Sequence, residues 1–101
     1  MTLVQLTLAA PRHLEEELVE GLLAHPEWAA GFTLMRAEGH GSRHSELSTQ
    51  ERVRGRADRC AVQVVLEAEL ARQLLDSLKA TLPTRDILYW IVPVTEIGRL
   101  T

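Results

Sequence analysis

Two stretches of this chain repeat one plan, an alternating strand followed by a leucine-striped helix, and that repetition limits the available folds more than any other feature. Residues 2–9 place Val4, Leu6 and Leu8 on one side and Gln5 and Thr7 on the other, the period of a strand with one buried face. Leu14, Leu18 and Leu22 then recur at helical spacing. Glu15, Glu16 and Glu17 favour the N-terminal end of that helix, Pro11 suits its first turn, and His25-Pro26 stops it. The second unit begins with RCAVQVVLE (59–67), a strand. It continues into EAELARQLLDSLKATLP (67–83), where Leu70, Leu74, Leu78 and Leu82 fall in line and Pro83 lies beyond the helix end.

Two further strands complete the pattern. GFTLMRAEG (31–39) alternates Phe32 and Leu34 with Thr33 and Met35, and DILYWIVPV (86–94) is apolar throughout its middle. The order βαββαβ predicts an α+β, ferredoxin-like fold, a four-stranded antiparallel sheet with two helices on one face. Strands one and three are then central and strands two and four lie at the edges, where Pro93, lacking an N–H, is tolerated. A chain of 101 residues makes one such domain, residues 1–101, near the size where burial only just exceeds conformational entropy.

Both helices on one face leave the other face of the sheet bare. Strand three offers it Ala61 and Val65, and strand four offers either Ile87, Tyr89 and Ile91 or Leu88, Trp90 and Val92. At roughly 25 cal/mol per Å² of apolar surface, a bare face of that kind represents many kcal/mol of unrealised burial, so a homo-oligomer is expected.

With 46% apolar and 25% charged residues the chain has the composition of an ordinary globular protein, and a formal net charge of −3 argues against nucleic acid as a partner. The single cysteine, Cys60, excludes an internal disulfide and is expected to be a buried, inert thiol. No apolar stretch reaches the length of a membrane span, and MTLVQLTLAAP lacks the basic start of a secretory signal, so a cytoplasmic location is expected. No serine, cysteine or carboxylate stands with a histidine in a recognised nucleophile motif, and the expectation is a protein that is not an enzyme.

The chemistry-bearing residues gather in one place. EGHGSRHSEL (38–47) holds two glycines, two of the four histidines and an arginine, and it opens an aperiodic loop over about 40–56. Arg43, Arg52, Arg54, Arg56 and Arg59 face only Glu46, Glu51 and Asp58 there, so the segment is locally basic on an acidic protein. Glycines permit close backbone approach to an anion, and Gly39 and Gly41 with Arg43 form the expected hinge and anion contact. His40, His44 and Glu46 are the candidate ligands of a transition metal such as Zn or Cu. Loop histidines are more often simply solvated, and no dense ligand cluster accompanies these. Trp28 and Trp90 are read as packing residues, and His25 as a partner of the helix C-terminus.

GFTLMRAEGHGSRHSEL resembles the PII signalling proteins, whose second strand carries Gly-x-Thr and ends in Gly-x-Gly before a signalling T-loop. The matching residues are Gly31, Thr33, Gly39 and Gly41. The βαββαβ order extends the resemblance to the wider PII and CutA superfamily over the whole chain, and the sequence is most similar to a PII-like family found beside heavy-metal efflux pumps. The resemblance implies a homotrimer with a small-molecule cleft between subunits, an adenine nucleotide as the ligand, and a partner such as a membrane transporter. It places Thr33, Gly39, His40, Gly41, Arg43 and Arg85 at the ligand. The CutA side of the superfamily implies instead a divalent-metal-binding or metal-sensing protein using His40, His44 and Glu46.

The sequence also departs from the PII pattern. Arg43 stands where those proteins carry a glutamine that serves a metal-chelated oxoacid. The phosphate loop before the fourth strand reads Pro83-Thr84-Arg85-Asp86, leaving Arg85 and Arg99 as its cations. The only tyrosine, Tyr89, lies in a strand, so a nucleotidylated loop tyrosine is absent.

Overall fold

A computed structural model describes residues 2–27, 31–40 and 57–101. In chain order the elements are β1 (Leu3–Pro11), a 3-10 turn (Arg12–Leu14), α1 (Glu15–Leu23), β2 (Thr33–Gly39), β3 (Ala57–Glu67), α2 (Ala68–Thr81) and β4 (Leu88–Pro93). The strands form one sheet in the order β2-β3-β1-β4, with antiparallel pairing at every step. This is the ferredoxin-like topology expected from the sequence, with Pro93 in an edge strand opposite Val4.

The alternation of β1 and β3 dictates the core. Val4, Leu6, Leu8 and Ala10 interleave with Cys60, Val62, Val64 and Leu66 on one face. Leu18 and Leu22 from α1, with Ala71, Leu74, Leu75 and Leu78 from α2, close over them in one continuous cluster. The two helices approach closely where α1 has Gly21, because a Cβ there would lie 2.9 Å from the Leu78 side chain. Among the described residues, no helix is long and apolar enough to cross a membrane.

One expectation is corrected. Pro11 does not begin the first helix; it is the last residue of β1, paired with Arg59, and α1 starts only at Glu15 after the 3-10 turn. Its backbone, φ −60° and ψ 147°, shows why the signal was ambiguous, since the ring-fixed φ suits a strand end as well as a helical first turn. The three glutamates do occupy the first turn of α1, where the helix dipole favours them.

The register resolves which residues of β4 face away from the helices. Tyr89 and Ile91 pair with Leu8 and Leu6 and pack against the core, whereas Leu88, Trp90 and Val92 pair with Ala9, Thr7 and Gln5 on the open face. Rows therefore run across that face as Met35-Ala61-Ala9-Leu88 and Thr33-Gln63-Thr7-Trp90. The middle of the face carries mostly small or polar side chains with Val65, the β4 margin carries Leu88 (62% exposed), Trp90 (44%) and Val92, and the β2 margin adds Met35. Thr7, in the middle, is buried, and its Oγ1 has no hydrogen-bond partner among the described residues.

Cys60 is fully buried on the core face of β3, and this burial raises its pKa above the ordinary thiol range against the opposing charges of Arg36, Arg59 and Arg12. Folding thus favours the neutral thiol. Its contribution is complete below the unfolded thiol value of about 8.5 and is lost as pH rises through the higher folded value. Urea unfolding at a series of pH values is expected to show Cys60→Ala losing less stability than wild type above about pH 8.5.

Candidate functional site

One end of the sheet collects three of the four described site candidates, Gly39, His40 and Arg85. β2 ends there at Gly39 with His40 just beyond it, β3 begins there at Ala57, β1 leaves there through Pro11, and the turn carrying Arg85 and Asp86 enters β4 there opposite Ala9. His40 and Arg85 are both exposed. Gly41, Arg43, His44 and Glu46, with the rest of 41–56, lie outside the described residues, as does Trp28. Among the described residues no group of three or more metal-ligating side chains is present.

The described candidates do not converge within one chain. Thr33 lies on the open face across from Gln63, six residues before Gly39, which at ~3.3 Å per strand residue separates them by about 20 Å. Arg85 is at the correct end but at the opposite edge, three strand spacings from β2, or ~14 Å. A ligand touching Thr33, His40 and Arg85 together would have to receive them from more than one copy.

Arg59 belongs to this end but not to an anion site. Its Nη2 donates to the carbonyls of Ala9 (3.2 Å) and Asp86 (3.1 Å), so one guanidinium ties the start of β3 and the end of β1 to the turn before β4. That turn is held internally as well, because the Asp86 N–H donates to Thr84 Oγ1 at 3.1 Å. Arg36 is likewise engaged, paired with Glu15 at the start of α1. The basic character read from the sequence is thus partly structural. The signal that could have flagged Arg59 is its position inside an alternating strand, on the parity of Ala61, Gln63 and Val65.

His25 performs a different task from the one its position implied. Its ring sits between Glu27 Oε1 (Nδ1, 3.3 Å) and Ser77 Oγ (Nε2, 2.7 Å), joining the end of α1 to the middle of α2. A carboxylate only accepts, so in the neutral ring the proton sits on Nδ1 and Nε2 accepts from the serine hydroxyl. The order acid, histidine, serine is that of a nucleophilic triad. Ser77 lies inside a helix, however, where the neighbouring backbone N–H groups are engaged in the helical ladder and do not form an oxyanion hole. The arrangement acts as a clasp between helices. Ser77→Ala is expected to cost about 1 kcal/mol in urea unfolding, the net value of one hydrogen bond.

The four-stranded β2-β3-β1-β4 sheet with helices on one side is a ferredoxin-like fold, which PII-like and CutA proteins of known structure share. The chain belongs to the family described as protein of unknown function (DUF3240), whose model matches residues 1–101. A solved DUF3240 family protein from Shewanella baltica OS155 is similar at 25% identity and a TM-score of 0.76, covering 100% of this chain and 99% of that one. CPII, a nitrogen regulatory PII-like protein from Thiomonas intermedia K12 solved with ADP, AMP and bicarbonate, aligns at 16% identity and a TM-score of 0.71, covering 98% and 96%. The divalent ion tolerance protein CutA1 from Ehrlichia chaffeensis aligns at 11% identity and 0.68, covering 96% and 85%. These last two likenesses show the shared fold. No curated protein matches the sequence.

Proposed function

We propose that this protein is a PII-like regulatory module that works as a homotrimer, takes a small ligand in the cleft between neighbouring subunits, and reports occupancy to a partner through residues 40–56. The observation that carries this reading is the separation of Thr33, His40 and Arg85 over different margins of one copy, beside an open apolar face that a second copy would cover. Copies packed through that face would bring one subunit's margin against the next, which is where an intersubunit cleft forms. An adenine nucleotide is the first ligand to test, because the similarly folded CPII was solved with ADP and AMP. Thr33, Gly39, His40, Gly41, Arg43 and Arg85 are assigned to the cleft, and a metal-efflux transporter is the partner class.

Sedimentation velocity at micromolar concentration is expected to give a trimer, and ADP or AMP to raise the melting temperature, since a ligand bound only to the native state stabilises it. Gly41→Val is expected to remove that shift by stiffening the hinge. A stable monomer would overturn the proposal. Zinc or copper affinity lost in a His40→Ala, His44→Ala double variant, with no nucleotide effect, would transfer the assignment to metal sensing.

A further inference from the structure

The helix layer does not close completely over the sheet. Between α2 and β4 it leaves a half-open cavity of about 440 Å³, within the ~300–1,000 Å³ typical of small-molecule sites. Its walls include Leu8, Leu18, Leu75, Leu78, Leu82 and Ile87. Among the described residues the polar lining is confined to Lys79, Thr84, Arg85 and Tyr89, and no acidic one borders the space. The Lys79 ammonium stands 5.4 Å from the centre of the Tyr89 ring, a cation–π distance that holds the charge beside the cavity. Neither Lys79 nor Arg85 has a carboxylate partner among the described residues. Thr84 Oγ1 accepts from the Asp86 N–H, leaving its own hydroxyl proton to donate.

We infer that this cavity is a second ligand site, taking a single-chain amphipathic carboxylate whose tail fills the leucine-lined space and whose headgroup meets Lys79, Arg85 and the Thr84 hydroxyl. An apolar cavity with no polar group would accept any hydrocarbon. Two unpaired cations, a hydroxyl donor and no acid select an anion. The volume suits one small amphiphile rather than a two-chain membrane lipid. The site lies on the helix side of the sheet and needs no second copy; it shares Arg85 with the cleft proposed above, so Lys79, which lines the cavity only, is the residue that tells the two apart.

Sodium decanoate, 1-decanol and decyltrimethylammonium bromide, each below its aggregation threshold, are the probes, titrated calorimetrically into the full chain. Decanoate is expected to bind at least tenfold tighter than decanol, with no binding of the cation. A Lys79→Ser, Arg85→Ser double variant should lose at least tenfold of the decanoate affinity and keep that for decanol. Leu82→Trp, which fills the space from its partly exposed rim, should lose both. Lys79→Ser alone should weaken decanoate while leaving any adenine-nucleotide stabilisation intact, which separates this site from the cleft. Equal affinity for decanoate and decanol, unchanged decanoate affinity in the double variant, or no binding at all would overturn the inference. So would decanoate affinity that falls as protein concentration rises, because the occupant would then be a second copy.

Discussion

Trp90→Asp tests the proposed trimer and is expected to give folded monomers. Trp90 lies near the centre of β4 on the open face, opposite Thr7, and is 44% exposed in a single chain, so its loss leaves the core beneath untouched. A tryptophan buried at an interface commonly contributes ~2 kcal/mol or more, and a carboxylate in its place must be desolvated without a partner. Each intersubunit contact should weaken by at least ~30-fold, since ~1.4 kcal/mol corresponds to tenfold. Sedimentation velocity reads the change, with circular dichroism confirming the retained fold. Leu23→Asp serves as the control, because Leu23 is 62% exposed on α1, away from that face, and should leave the oligomer intact. An unchanged sedimentation coefficient in Trp90→Asp would place the contact elsewhere.

Arg59→Ala is expected to lower stability by about 3 kcal/mol, reading two charge-assisted hydrogen bonds at the low end of ~1.5–3 kcal/mol each because the group is only partly buried. The cost comes as much from the carbonyls of Ala9 and Asp86, left without their donor, as from the arginine itself. Arg59→Lys is expected to recover a part, since one ammonium keeps the charge and can donate to two carbonyls as Nη2 does, but on a more flexible and more strongly hydrated stem. Urea unfolding checks the values. A loss below ~1 kcal/mol, the range of exposed ion pairs, would show that water replaces the guanidinium without penalty. Nucleotide titration of the same variant tests whether the turn carrying Arg85 must be held for the cleft to work.

The sequence revealed the parts of the fold that are written in local period. Val4, Leu6 and Leu8 alternate with polar neighbours, and all three are buried in the core. Leu18, Leu22, Leu74 and Leu78 recur at helical spacing and form the helix contribution to that core. β4 was different, because every residue from Ile87 to Val92 is apolar and either parity could have faced inward. Only pairing with β1 decided it. The ties that organise the candidate site were illegible for a related reason. Arg59 to Asp86 spans 27 positions and His25 to Ser77 spans 52, and no periodicity connects residues that far apart. Thr33 and Gly39 are the exception, because the alternation of 31–39 reads as a strand and an extended strand already carries residues six positions apart to its opposite ends.

The profile of the open face sets the geometry of closure. Ala9, Ala61, Thr7, Gln5, Gln63 and Val65 form the floor of a gutter between two banks, Met35 on one side and Leu88, Trp90 and Val92 on the other. Two such gutters stacked about a two-fold axis would set bank against bank and leave the floors apart. A bank laid into the next molecule's gutter would fill the hollow, and because giver and receiver would then be different surfaces, the proposed trimer would close as a ring and not as a two-fold pair.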